Sequence, residues 1–254
     1  MRIVVLSGAG ISSESGIPTF RDALSGLWGR FDAERLATGE AFRADPALVW
    51  GWYRWRAALV AAAAPNAAHV DVAALADDGH DVIVVTQNVD DLHERAGARE
   101  VLHLHGRLLA SRCIDCGARM TPDPILAAPA PPEGGQPETP PACSACGAWF
   151  RPDVVWFGEA LPGHAWDAAS AAVDACELLV VIGTSSLVWP AAGLPDCALR
   201  TGAPVLEINP QPTPLSTRAT AHWALTATAG MAKLRARLAR DPANAAAACV
   251  PPQA

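Results

Sequence analysis

The sequence predicts an α/β protein, a parallel sheet covered by helices on both faces and interrupted by a small inserted module. Three observations predict it. The segments 2–6, 82–86, 178–182 and 204–208 are short, rich in aliphatic residues and unalternating, the pattern of strands buried on both faces. Helical stretches lie between them. From 107 to 152 that pattern breaks into proline- and glycine-rich sequence flanked by two Cys-x-x-Cys pairs.

The elements follow in order from their end signals. The first strand runs into Ser7-Gly8-Ala9-Gly10, a glycine turn. Asp45-Pro46 is an N-cap followed by proline at the first helical position, opening a helix that reaches about Ala64 before Pro65 closes it. A second helix spans 67–78 and stops at Gly79, and a short one after Asp90 stops near Gly97. Pro190 is expected to open another after the strand at 178–182. Strands on both sides make 107–152 an insertion rather than a second domain in series. The tail over 241–254, rich in alanine and proline, is expected to be disordered.

Composition bounds the possibilities. With 254 residues, 51% hydrophobic and 18% charged, the chain is long enough to bury a large core and is neither disordered nor a repeat array. Its apolar runs fall far short of the roughly 18 residues of a membrane span. Met1 leads directly into the first strand, so no secretory or organellar signal is expected, and the expected location is cytoplasmic. A net charge of −7 argues against nucleic acid as a partner. No membrane partner is expected either. Two further oddities are nine tryptophans beside a single tyrosine, Tyr53, and one lysine, Lys233.

Cys113, Cys116, Cys143 and Cys146 follow the pattern Cys-x2-Cys-x26-Cys-x2-Cys, which can present four thiolates to one tetrahedral ion. The central spacing exceeds the usual range, but loop closure costs only about 0.6 kcal/mol per doubling of length. One structural Zn²⁺ is therefore expected. A redox pair is the rival, yet thioredoxin-like sites carry one such motif in a βαβ context. Cys176, Cys197 and Cys249 remain as buried or tail thiols.

Gly8-x-Gly10 between a strand and a helical segment begins a dinucleotide-binding turn. A glycine turn that binds nothing is the plainer alternative. Ser13 stands where a dehydrogenase's third glycine would fall, and Asp22 lies in a loop, so hydride transfer is not indicated. Polar groups gather after the other strands: Thr86-Gln87-Asn88-Val89-Asp90, Gly183-Thr184-Ser185 and Asn209-Pro210-Gln211. Parallel sheets place ligands at those strand ends. In Leu102-His103-Leu104-His105-Gly106 alternation puts both histidines on one face, either as structural residues or with one as a catalyst.

These residues carry a resemblance. GAGISSESGIPTFRD (8–22), TQNVDDLHERAG (86–97), HLHG (103–106), the four cysteines, RPDVVWFGE (151–159), GTSS (183–186) and IN (208–209) together resemble the sirtuins, NAD-dependent protein lysine deacylases, over 3–234. The resemblance implies a Rossmann-like NAD-binding domain over 1–106 and 153–240, with a helical segment over about 23–64 that includes the cofactor loop. It implies a small zinc-ribbon module over 107–152 and an acyl-lysine peptide in the cleft between the two. His105 matches the catalytic base and His103 does not. Asn88 and Asp90 would hold the nicotinamide and its ribose, beside Gln87. Gly8, Ala9, Gly10 and Ser12 would take the phosphates and nearby ribose, with Phe20 and Arg21 on a loop that excludes water. Gly183, Thr184, Ser185, Asn209, Pro210 and Gln211 would serve the adenosine half, with Ala229 nearby.

The resemblance also points to an acyl class. Tyr53 and Arg56 are three apart and share a helical face, and a phenol beside a guanidinium is a receptor for a carboxylate. A solvated arginine beside a packed tyrosine is the plainer alternative. Tyr-x-x-Arg ahead of Pro65-Asn66-Ala67-Ala68-His69 looks like the sirtuin class acting on succinyl-, malonyl- and glutaryl-lysine, and Ala23 fits that class's roomier pocket. The stretch from Ala23 to Trp28 carries one more residue than the pattern expects. The peptide would add as a strand along Val155, Phe157, Gly158 and Glu159. The expectation is therefore a monomeric enzyme acting on acylated-lysine proteins, releasing nicotinamide and O-acyl-ADP-ribose. The alternatives are a general deacetylase, an ADP-ribosyltransferase and a non-catalytic NAD-binding module.

Overall fold

A computed structural model describes residues 1–18, 32–127, 131–132 and 135–241. Phe20, Arg21, Ala23 and Cys249 lie outside the described residues, as does nearly all of the expected tail. In chain order the elements are β1 (Arg2–Ser7), α1 (Ala33–Leu36), α2 (Gly39–Ala44), α3 (Pro46–Ala62), α4 (Ala67–Asp77), β2 (Asp81–Thr86), α5 (Leu92–Arg95), β3 (Val101–His103) and β4 (Gly106–Cys113). There follow α6 (Pro124–Ala127), β5 (Phe150–Val154), α7 (Gly163–Asp174), β6 (Leu178–Ile182), α8 (Leu194–Thr201), β7 (Val205–Ile208), β8 (Ala221–Trp223) and α9 (Ala227–Leu238).

Six strands form one parallel sheet in the order β3-β2-β1-β6-β7-β8. Side chains of a strand alternate between faces, and the core divides accordingly. Ile3, Val5, Leu178, Val180 and Ile182 pack under Val72 and Leu75 of α4 and Met231 and Leu234 of α9. Val4, Leu6, Leu179 and Val181 pack against Val173 of α7 and Leu194 and Ala198 of α8. Burial on both faces explains why these strands read as unbroken aliphatic runs. Strand order reverses between β1 and β6, so their C-terminal ends open the crevice in which parallel sheets seat ligands.

A separate core joins α1 to α3 to the cysteine module. Trp50, Trp52 and Tyr53 of α3 pack with Phe42, Leu108, Phe150 and Trp156. The helix is buried over most of its circumference, which suits its unbroken run of large apolar residues. It starts as expected, with the Asp45 carboxylate accepting the Leu48 amide at 3.0 Å and Pro46 in the first turn. It ends at Ala62, two residues earlier than expected. Pro190 instead precedes a 3₁₀ turn, Ala191–Gly193, and the α-helix begins only at Leu194. The strands β3 and β8 were not expected; at three residues each they carry no readable pattern.

β4 and β5 pair antiparallel and carry the cysteine knuckles. In each knuckle the first cysteine's amide and carbonyl are both bonded back across the turn: Cys113 with Ala118 and Gly117, Cys143 with Ala148 and Gly147. Among the described residues no single helix is long and apolar enough to cross a membrane.

Candidate active site at the reversal of strand order

The crevice is built by backbones in contact. The Gly8 amide donates to the Ile182 carbonyl at 3.0 Å and the Gly10 amide to the Gly183 carbonyl at 2.8 Å, so the loops after β1 and β6 cross directly. A Cβ on Gly8 or Gly10 would stand 2.8 Å from the Gly183 carbonyl oxygen, too close for any side chain. The glycines therefore serve the crossing itself, whatever ligand the turn receives. Ala9 lies in the short 3₁₀ turn that follows. Beyond the crossing, Gln87 Nε2 donates to Thr184 Oγ1 at 3.0 Å and Asn209 Nδ2 to the Thr184 carbonyl at 2.8 Å. Loops after β2, β6 and β7 are thereby tied into one wall. Ser185 is partly exposed there, whereas Pro210, Gln211 and Ala229 stand at the surface.

Ser12 is the hub of a buried network. Its hydroxyl accepts from Asn88 Nδ2 at 3.2 Å and donates to Asp90 Oδ2 at 3.0 Å. His69 Nε2 approaches the same oxygen at 3.4 Å, while His69 Nδ1 accepts the Asn66 amide at 3.3 Å. A nitrogen that accepts carries no hydrogen, so the assigned tautomer is Nε2–H and His69 donates to Ser12. Burial lowers the His69 pKa to about 4 and keeps the ring neutral. Both acceptor directions of Ser12 are then filled, and its hydrogen points at Asp90. Burial raises the Asp90 pKa, opposed by the hydrogen bonds from the Leu92 amide and Ser12. The sequence assigned no role to His69. Its signal was present, since a polar residue three after Asn66 is a capping-box position.

The two histidines of the HLHG segment bind consecutive carbonyls of the loop after β2. His103 Nδ1 reaches the Asn88 carbonyl at 3.1 Å and its Nε2 the Glu94 carboxylate at 2.8 Å, so its ring is fully engaged in bracing that loop. His105 Nδ1 reaches the Gln87 carbonyl at 3.0 Å. A carbonyl only accepts, so the hydrogen sits on Nδ1 and the lone pair on Nε2. Burial lowers the His105 pKa, opposed by the bond to Gln87. The outcome is a neutral imidazole with a basic nitrogen, the form a general base requires.

On α3, the Tyr53 hydroxyl accepts from Trp156 Nε1 at 3.0 Å, which leaves its own hydrogen to be donated. Burial raises its pKa to about 12, so it stays a phenol. The Arg56 guanidinium lies 4.9 Å from the Trp52 ring centroid and 5.8 Å from that of Tyr53. Burial lowers its pKa, while Tyr53 and Asp90 act to raise it. Arg56 is thus within electrostatic reach of the Ser12 network, and an arginine stays cationic. The loop after β5 presents Val155, Phe157 and Gly158, with Phe157 and Gly158 exposed. The Glu159 carboxylate pairs with Arg151, and its Oε2 also accepts the Trp156 amide.

The four cysteine sulfurs lie within 4.8 Å of one another. Cys113 and Cys146 are 3.4 Å apart and Cys116 and Cys143 3.7 Å, too far for disulfides. Sulfurs at about 2.3 Å from a tetrahedral zinc are themselves about 3.8 Å apart, so the donor set fits one such ion with no coordination position left for chemistry.

Residues 8–190 match the Sir2 family. The chain is 55% identical over 213 residues to an NAD-dependent protein deacylase of Methylococcus capsulatus, covering 84% of this chain and 83% of that protein. It is 53% identical over 220 residues to an NAD-dependent protein deacylase of Mycobacterium tuberculosis, covering 87% and 90%. A Sir2 homolog solved as an NAD complex superposes with a TM-score of 0.84 at 44% identity, over 94% of this chain and 89% of that one. A Sir2 protein bound to acetylated peptide superposes with a TM-score of 0.78 at 29% identity, over 95% and 94%. With the family match spanning well over half of its length, this chain belongs to the Sir2 family.

Proposed function

We propose that this protein is an NAD-dependent protein-lysine deacylase that prefers acidic acyl groups, succinyl and malonyl above acetyl, with glutaryl in the same class. The observation that carries the catalytic part is His105, neutral and with its Nδ1 hydrogen committed to Gln87. The observation that carries the acyl part is the Tyr53 and Arg56 pair on α3, one a neutral donor and the other a half-buried cation.

When bound, NAD supplies a glycosidic bond whose cleavage releases nicotinamide and makes ADP-ribose the acyl acceptor. Gly8, Ala9, Gly10 and Ser12 line the turn that would take its phosphates, and Thr184 and Asn209 the adenosine side. Asn88 and Asp90, held by Ser12, would fix the nicotinamide ribose and carboxamide. His105 Nε2 would accept the proton of a ribose hydroxyl, so that this oxygen can take the acyl group while the lysine leaves as the free amine. Arg56 and Tyr53 bind the distal carboxylate of the acyl chain. The loop at 155–159 would meet the peptide through main-chain groups other than the Val155, Trp156, Phe157 and Glu159 amides, which are bonded within the chain, a mode that reads little sequence. The zinc-bound cysteines hold β4 and β5 together and take no part in these steps.

The direct test is nicotinamide release from NAD with and without an acyl-lysine peptide, with mass analysis of the product. Release that depends on the peptide, together with O-acyl-ADP-ribose, is the expected result. Release without peptide, or ADP-ribose attached to an acceptor, would overturn it.

A further inference from the structure

Trp156 lies inside the RPDVVWFGE segment yet turns into the core shared with α3, where several groups fix its position. The indole is 1% exposed. The Arg151 guanidinium stacks 3.3 Å from its ring centroid, and that guanidinium is held by two bonds to Glu159, at 2.5 and 2.9 Å. Glu159 Oε2 also accepts the Trp156 amide at 2.9 Å. Phe42 packs 5.3 Å away, and the Phe157 amide is bonded to the Ala37 carbonyl. This clasp delivers one polar atom, Nε1, to one acceptor, the Tyr53 hydroxyl.

We infer that Trp156 is a positioning residue for acyl specificity: its indole N–H occupies one side of the Tyr53 oxygen and turns the phenolic hydrogen toward the acyl carboxylate. The inference rests on the acidic-acyl reading above and deepens it. A phenolic hydrogen lies near the ring plane and has two places to go. An indole nitrogen can only donate, so two hydrogens cannot share the side that Trp156 fills. Tyr53 is then a preset donor, and an incoming carboxylate meets it without having to reorient it.

The test is a double-mutant cycle of Trp156→Phe and Tyr53→Phe on matched succinyl- and acetyl-lysine peptides at saturating NAD. Tyr53→Phe is expected to lower the succinyl-to-acetyl ratio of kcat/KM by about ten- to hundredfold, the worth of a hydrogen bond to a charged group, and Trp156→Phe by about three- to tenfold, the worth of one neutral hydrogen bond, both through KM for the succinyl peptide. The double variant should fall no further than Tyr53→Phe, because the N–H acts only through the phenol. If Phe at 156 impairs folding, 3-benzothienylalanine keeps the bicyclic shape and lacks the N–H. An unchanged ratio on losing the N–H, or additive losses, would overturn the positioning role while a Tyr53→Phe effect keeps the acyl reading standing. An unchanged ratio in Tyr53→Phe would remove both.

Discussion

His105 and Gln87 are joined by a single bond, ring Nδ1 to main-chain carbonyl at 3.0 Å, and that bond decides which face of the imidazole is basic. Because burial lowers the His105 pKa, the ring stays neutral to lower pH than a free imidazole. The acid limb of the kcat/KM profile is therefore expected below about pH 6.5, the ordinary imidazole value. Initial rates across pH 5–8 check this, and a limb centred above that value would contradict the assignment.

Replacing His105 by Asn keeps a polar side chain and removes the base. Turnover should drop by roughly 10²- to 10⁴-fold on every acyl peptide, the usual worth of general base catalysis. NAD affinity, measured by calorimetry, should change little by comparison. A variant that loses NAD binding instead would make His105 a binding residue.

The His69 ring is held neutral, its pKa lowered to about 4 by burial. The unfolded chain takes up that proton near pH 6.5 and the folded one only near pH 4, so stability falls as pH drops through that window. For His69 alone the loss approaches roughly 3 kcal/mol. Urea melts between pH 7 and 4 should show it, and His69→Gln should flatten the slope. An equal slope in the variant would assign the acid sensitivity to other groups, His93 first, whose pKa burial lowers to about 3.

At the crossing of the two glycine loops, Gly10→Ala places a methyl 2.8 Å from the Gly183 main chain. Overpacking of this kind costs roughly 1–3 kcal/mol. The strain falls in the turn proposed to take the cofactor, so both the melting temperature and NAD affinity should drop. Unchanged NAD affinity would separate the crossing from the cofactor site.

Metal analysis of the purified chain should find one zinc ion, and Cys143→Ala should abolish it. Because Cys113 and Cys143 belong to the same core as Trp50, Tyr53 and Trp156, zinc loss should also disorder the proposed acyl receptor. A zinc-free variant with unaltered deacylation would uncouple the module from the site.

Much of this was legible in the sequence where the cause is local. The strands at the sheet centre read correctly because both faces are buried, and Asp45-Pro46 marked the start of α3 because capping is decided within one turn. The four cysteines declared themselves by spacing. What escaped depends on residues distant in the chain. The bond from Trp156 to Tyr53 spans 103 positions, and Ser12 meets Asp90 across 78. No periodicity encodes such meetings; they follow from the sheet's strand order and the shared core of α3 with the β4–β5 module. The same core takes up three of the nine tryptophans, Trp50, Trp52 and Trp156, packed around the lone tyrosine.

The most direct test of the account is a comparison of kcat/KM on succinyl- and acetyl-lysine versions of one peptide, with the wild-type chain and with Arg56→Met. The account predicts that the wild type prefers the succinyl peptide. It predicts that Arg56→Met loses roughly 30-fold or more on that peptide alone, the cost of removing one member of a desolvated charge pair. Equal wild-type rates on the two peptides, or a variant that keeps its succinyl activity, would contradict it.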